Sequence, residues 1–244
     1  MSGPEGVLLV HKPAGMTSHD VVAIVRRKLG VQRIGHTGTL DPMAEGLLVL
    51  LVGAATKHQH ALQTHDKTYE AMVRLGTQTE TGDAEGAPVR SVPVPPLERG
   101  RLEDVLREFT GSLSQTPPAY SAVKVAGRPA YWWARRQQPV TLEPRTVHVF
   151  QLALLDWTPP TLTVLVECSS GTYVRSLGEA IAERLGTVGH LTRLVRTRVG
   201  SWRAQEAKPL AWIADASPEA LARELRPVPL APATAPDNSC QHPI

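Results

Sequence analysis

Residues 35–46 read Gly-His-Thr-Gly-Thr-Leu-Asp-Pro-Met-Ala-Glu-Gly. One carboxylate, Asp41, stands in this glycine-rich turn, with Pro42 after it and an apolar run, residues 47–52, beyond. Proline disfavours helical geometry in the residue before it, so Asp41 is expected to be extended or in a turn. Gly35, Gly38 and Gly46 permit unusual backbone angles and let another segment come close. Such a turn presents a carboxylate into a cleft. The same residues also read as an N-cap followed by a first-turn proline, the start of an ordinary helix.

Outward from the turn, the run bounded by Gly46 and Gly53 predicts a buried strand. Upstream, Gly6–Lys12 predicts a short strand ending at Pro13. Thr17-Ser-His-Asp20 reads as a capping box opening a helix, with Val21, Ile24, Val25 and Leu29 on its buried face and Gly30 as its stop. Residues 54–62 fit a short helix. Over Lys67–Leu75, Tyr69, Ala71, Val73 and Leu75 alternate with Glu70, Met72 and Arg74, which predicts a half-exposed strand. Residues 77–96 are polar and rich in proline and glycine and read as a long loop. Leu102, Val105, Leu106 and Phe109 mark an amphipathic helix stopped by Gly111.

Residues 115–121 read as a further loop, and 129–137 as a helix carrying Tyr131, Trp132 and Trp133. Strands fit 145–155 and 161–169. A helix over 177–185 would open on a second capping box, Ser176 and Glu179, and stop at Gly186. The chain after residue 203 holds one helical piece around residues 220–225 and then a proline-rich tail, expected to be disordered. Residues 1–203 are therefore expected to form one catalytic domain, with 204–244 as an appendage. Strands and helices do not alternate strictly, which points to an α+β fold.

The 244 residues suffice for a sizeable core. No apolar run approaches membrane-spanning length. The opening Met-Ser-Gly-Pro-Glu-Gly lacks the charged and apolar regions of a signal peptide. Two cysteines, Cys168 and Cys240, make no disulfide framework, and a reducing cytoplasm is expected. Net charge is only +3, but it is unevenly spread. One basic segment holds Lys124, Arg128, Arg135, Arg136 and Arg145; a second holds Arg175, Arg184, Arg193, Arg196, Arg198 and Arg203. Arginine's planar fork suits phosphate, although such residues also solvate helix faces. No dinucleotide fingerprint, P-loop or zinc cluster is visible, and the histidines fall in no metal-ligand spacing. Neither a cofactor nor a metal is expected. Cys168 alternates with Val164 and Val166 and reads as a small buried hydrophobe rather than a nucleophile.

Three segments bear on Asp41 together: residues 35–48, Lys67-Thr-Tyr-Glu70 and Gly171-Thr-Tyr-Val-Arg175. With 6–18, 117–128 and 168–175 they resemble, in order and spacing, the TruB family of tRNA pseudouridine synthases over roughly residues 6–203. The resemblance implies a mixed, mostly antiparallel sheet with flanking helices and an active-site cleft. It implies an isomerase that breaks the bond from ribose to uracil N1 and remakes it to C5. Asp41 would then be the nucleophile, attacking either uracil C6 or ribose C1′, and Arg175 the cation that keeps it charged. Tyr69 would stack on the extruded base, with Tyr173 and Leu194 lining the uracil site. His36 would occupy space vacated in the RNA loop. Leu194 sits in Thr-Arg-Leu-Val-Arg, which departs from the family's usual Leu-Arg-Arg ending. Lys12 and Lys57 would be structural or phosphate-facing.

The implied substrate is the T-arm stem-loop of tRNA, modified at tRNA position 55 by a monomer without metal or membrane. The basic segments would meet the RNA backbone. Bacterial relatives often carry a C-terminal RNA-binding PUA domain, and its place here is taken by the short acidic tail. The competing expectations are a guide-RNA-dependent pseudouridine synthase and an RNA chaperone that folds tRNA without catalysis.

Overall fold

The computed structural model describes residues 3–229; the expected disorder of the tail beyond 229, and Cys240, lie outside the described residues. The chain runs β1 (Gly6–Lys12), α1 (Ser18–Leu29), β2 (Ile34–His36), β3 (Glu45–Val52), a 3-10 turn (Gly53–His58), α2 (Gln59–Gln63) and β4 (Lys67–Leu75). It continues with β5 (Thr77–Thr79), β6 (Pro88–Ser91), α3 (Arg99–Glu108), β7 (Gly111–Gln115), β8 (Lys124–Val125), β9 (Arg128–Pro129) and α4 (Ala130–Ala134). Then follow β10 (Arg145–Thr158), β11 (Thr161–Cys168), α5 (Val174–Arg184), β12 (Gly189–Val199) and β13 (Trp202–Arg203). The described chain closes with β14 (Lys208–Pro209), α6 (Leu210–Asp215) and α7 (Pro218–Arg223).

Among the described residues ten strands form one sheet in the order β14-β1-β3-β12-β4-β11-β10-β7, with β2 on β3 and β13 on β12. Only β1/β14 and β3/β12 pair in parallel. The expected mixed, mostly antiparallel α+β sheet is the one found.

The apolar run of β3 is explained by burial on both faces. Leu48, Leu50 and Val52 join the main core with α1, α3 and α5, while Leu47, Val49 and Leu51 join a second cluster with Leu62 and Trp202. A strand covered on both sides has no polar face to show. β4 does show one: Tyr69, Ala71, Val73 and Leu75 are buried, and Glu70 and Arg74 are exposed. The capping box at Thr17 and Asp20 forms, and Gly30 ends α1 in the left-handed region.

Several expectations are corrected. Residues 77–96 are no plain loop: β5 and β6 pair in a short ribbon, and Thr79 and Asp83 are buried. The capping box at Ser176 does not form, because α5 begins at Val174 with Tyr173 as its N-cap and Ser176 already lies inside the first turn. Residues 54–62 divide between the 3-10 turn and α2. Among the described residues after 203 there are a 3-10 turn (Ala204–Glu206) and two α-helices rather than one helical piece. Leu210, Ile213 and Leu221 from these helices are buried in the main core, and β14 pairs with β1.

Candidate active site

The turn after β2 is fixed carbonyl by carbonyl. Arg196 on β12 donates to Gly38 O (3.0 Å) and Thr39 O (3.4 Å). Ser18 Oγ donates to Leu40 O (3.1 Å) and accepts from Leu40 N (2.9 Å). Ala44 N donates to Asp41 O (3.1 Å). Pro42 O accepts from Gly15 N (2.8 Å) and Lys12 Nζ (3.2 Å). No helix starts at Pro42, so the turn reading holds over the N-cap reading. Of the three glycines, only Gly46 has positive φ (+101°), and a Cβ there would lie 2.4 Å from the Arg196 carbonyl oxygen. Glycine at 46 is what lets β3 lie against β12.

Asp41 lies at the wall of a cavity of about 270 Å³ that is also lined by Tyr69, Ser121, Tyr173, Arg175, Leu194 and Arg196. That volume, near the lower end of the ~300–1,000 Å³ of small-molecule clefts, leaves room for a pyrimidine ring. Arg175 Nε stands 2.9 Å from Asp41 Oδ2. The rest of its fork is engaged: Nη1 donates to Thr81 O (2.6 Å) and Nη2 to Tyr120 O (2.7 Å). With 4% exposure, Arg175 is a buried cation whose orientation three segments determine. Its position at the start of α5 is electrostatically unfavourable and is offset by Asp41 and by a second acid. That acid is Asp83, with Oδ2 3.7 Å from Arg175 Nε. Asp83 Oδ1 accepts from Thr81 Oγ1 (2.5 Å) and Glu85 N (3.1 Å).

Burial raises the pKa of Asp41; Arg175 pulls it back, and Asp83 adds to the rise. Removing a carboxylate from water disfavours its charge more than the neighbouring guanidinium restores it. Tyr69 is buried in β4 opposite Arg196 of β12, and burial raises its hydroxyl pKa while Arg196 opposes. Tyr69 therefore belongs both to the core and to the cavity wall. Tyr173 is held through its backbone, N to Gln115 Oε1 (2.7 Å) and O from Gln115 Nε2 (3.0 Å), and burial raises its pKa too. Leu194 is 5% exposed and lines the cavity.

His36 is not part of the cavity wall. It ends β2, half-buried, with Nδ1 lacking a partner, and burial chiefly lowers its pKa, so the ring is neutral. Lys12 is fully buried and donates to Pro13 O, Met16 O and Pro42 O, a structural role. Cys168 is 1% exposed, and burial pushes its thiol to about 11, which leaves it unreactive.

The second basic segment divides, with Arg175 and Arg196 buried and Arg184, Arg193 and Arg203 on the surface. Arg175 pairs with Asp41, Arg184 with Glu108, Arg193 with Glu45 and Arg198 with Glu167, while Arg196 is buried. Arg184 and Arg193 stay more than half exposed, and ion pairs at the surface are weak, so both can still meet phosphate. The first segment remains open. Arg136 stacks 3.7 Å from the Trp132 ring centroid, with Arg128 at 5.5 Å, and Arg135 lies 5.5 Å from Tyr131. Asp83 and Ser121 escaped the sequence reading because each is an isolated polar residue in an aperiodic stretch. The one legible signal was a carboxylate one residue after Gly82.

A family model described as TruB family pseudouridylate synthase (N terminal domain) matches residues 26–174. The chain is 47% identical over 224 residues to tRNA pseudouridine synthase B of Burkholderia lata, covering 92% of this chain and 69% of that protein. It is 44% identical over 206 residues to the protein of the same name from Opitutus terrae, covering 84% and 86%. Among solved structures, a chain of a Cbf5–Nop10–Gar1 complex superposes with a TM-score of 0.69 at 28% identity, covering 91% of this chain and 60% of that one. A chain of an H/ACA RNP bound to a substrate RNA containing 2′-deoxyuridine gives 0.66 at 26% identity, covering 91% and 59%. The chain thus spans about 60% of the length of these solved chains.

Proposed function

We propose, from the premise that the chain belongs to the TruB family of pseudouridylate synthases, that it isomerises a uridine of the tRNA T-arm, at tRNA position 55, to pseudouridine. The observation that carries this reading is the Asp41–Arg175 pair, 2.9 Å apart, at the wall of a cavity with room for a pyrimidine ring. A base inside folded RNA has to be extruded to reach such a cavity, at a few kcal/mol. Stacking on Tyr69 returns roughly 1–3 kcal/mol of that.

Asp41 is the nucleophile. Its carboxylate oxygen bonds to the substrate, the C1′–N1 bond breaks, C5 bonds to C1′, and the carboxylate leaves. The C5 proton passes to solvent and N1 takes one up, so the sum is an isomerisation. Arg175 positions Asp41 and favours its ionised form. Asp83, 3.7 Å from the same Nε, adds a second negative charge beside the guanidinium. Tyr173 and Leu194 shape the cavity. All these groups come from one chain, which supports action as a monomer, and tRNA as substrate supports work in the cytoplasm. The exposed Arg128, Arg135 and Arg136 around Trp132 and Tyr131 are the surface for the RNA backbone. Relatives at 44–47% identity named for tRNA favour this over a guide-RNA-dependent enzyme.

The test is release of tritium from C5-labelled uridine in a T-arm stem-loop, without added metal or guide RNA. Release is expected from the native protein. Asp41→Asn should abolish it while leaving RNA affinity within severalfold. Binding without any release by the native protein would favour the chaperone. A large loss of affinity in the variant would make Asp41 structural.

A further inference from the structure

Arg196 carries a charge that no carboxylate among the described residues answers. It stands on β12 between β3 and β4, 2% exposed, and forms none of the ion pairs that Arg175, Arg193 and Arg198 form. Only dipoles hold its fork: Leu47 O accepts at 2.8 Å, Gly38 O at 3.0 Å and Thr39 O at 3.4 Å. A cation buried without a counter-ion is strongly unfavourable, and carbonyl dipoles offset only part of that. The uncompensated field reaches its neighbours. Lys67 is pushed down to about 8, by burial first and next by Arg196. Arg196 also lines the cavity that holds Asp41 and Leu194.

We propose that Arg196 stabilises the negative charge that develops on the uracil ring during the reaction, so that the substrate supplies the counter-ion the folded protein lacks. This rests on the function proposed above. Both routes open to Asp41 put charge on the base. In attack at C1′, the carboxylate oxygen bonds to C1′ and the C1′–N1 electron pair stays with the base, spread over N1, O2 and O4. In attack at C6, the oxygen bonds to C6 and the C5=C6 pair moves to O4 as an enolate. Neither step needs an oxidant or a further reactant. Arg175 is less suited to this purpose, because its charge is already answered by Asp41 at 2.9 Å and Asp83 at 3.7 Å, whereas Arg196 is held by neutral carbonyls alone. A fixed cation in a cavity shielded from water acts most strongly where charge appears.

The experiment compares native protein, Arg196→Met and Arg196→Lys on stem-loops carrying uridine or 5-fluorouridine at the target. The readout is single-turnover consumption of the target nucleoside after nuclease digestion, with a thermal melt as the folding check. Fluorine withdraws electrons, so the fluorinated base bears negative charge with less help. Arg196→Met should be about 10²–10³-fold slower on uridine, and this penalty should shrink at least about tenfold on 5-fluorouridine. Arg196→Lys, which keeps the charge but not the fork, should retain a tenth or more of the native rate. An equal penalty on both substrates, or a lysine variant below a tenth of the native rate, overturns the proposal. If Arg196→Met fails to fold, the lysine variant decides alone by the same threshold. Native protein inactive on both substrates would instead overturn the function proposed above.

Discussion

Arg175→Met separates the electrostatic duty of the buried arginine from its structural one. Asp41 already has its pKa raised by burial, with Arg175 opposing at 2.9 Å. An opposite charge at such a distance lowers a carboxylate pKa by about 1–3 units. Removing it moves the acid limb of the pH–rate profile up by about 1–3 units, and on that limb each unit costs about tenfold in ionised Asp41. Thr81 O and Tyr120 O lose donors at 2.6 and 2.7 Å, and Asp83 loses its buried cation. Orphaned acceptors of this kind cost about 1–3 kcal/mol each. A loss of at least about 2 kcal/mol lowers Tm by about 4–8 °C in a domain of this size.

The sign for stability is opposite to that for activity. Between the ordinary aspartate value of 3.8 and the raised one, the folded protein holds more proton at Asp41 than the unfolded chain does. The contribution of Asp41 to stability therefore falls as pH rises through that window, while the fraction of active enzyme rises. The assay is single-turnover tritium release from about pH 5 to 9, a range that brackets a carboxylate raised by up to a few units, with a melt and an RNA-binding isotherm for each variant. A folded, RNA-binding Arg175→Met with its acid limb unmoved would refute the reasoning, because Asp41 would then not depend on that cation.

Two further expectations follow from other parts of the fold. In RNA binding, Arg135→Ala with Arg136→Ala should weaken affinity for any stem-loop and flatten the dependence of log K on log salt by about 1 to 2; an unchanged slope would remove the RNA-backbone surface assigned to the arginines around Trp132 and Tyr131. Gly46→Ala puts a Cβ 2.4 Å from the Arg196 carbonyl oxygen at φ +101°. It should cost at least about 2 kcal/mol, read as a Tm drop of about 4–8 °C, and a variant as stable as the native protein would show that β3 and β12 need no such contact.

The sequence alone was enough to place α1, with its capping box and Gly30 stop, and the doubly buried β3, because caps and hydrophobic period are local properties. It was also enough to single out Asp41, Tyr69 and Arg175 through the motifs around them. β12 escaped it. Register shifts between Leu191 and Arg193 and between Arg196 and Arg198 break the two-residue period, so a central strand reads as a polar, basic stretch. The same breaks hid which arginines point inward, and Arg196 passed for a surface charge. Asp83 lies 42 residues beyond Asp41 and 92 before Arg175 in the chain; only packing the β5–β6 connection against the start of α5 brings it to 3.7 Å from the guanidinium. Which charges meet, and which stay unanswered, depends on long-range register and burial. No stretch of neighbouring residues encodes either one.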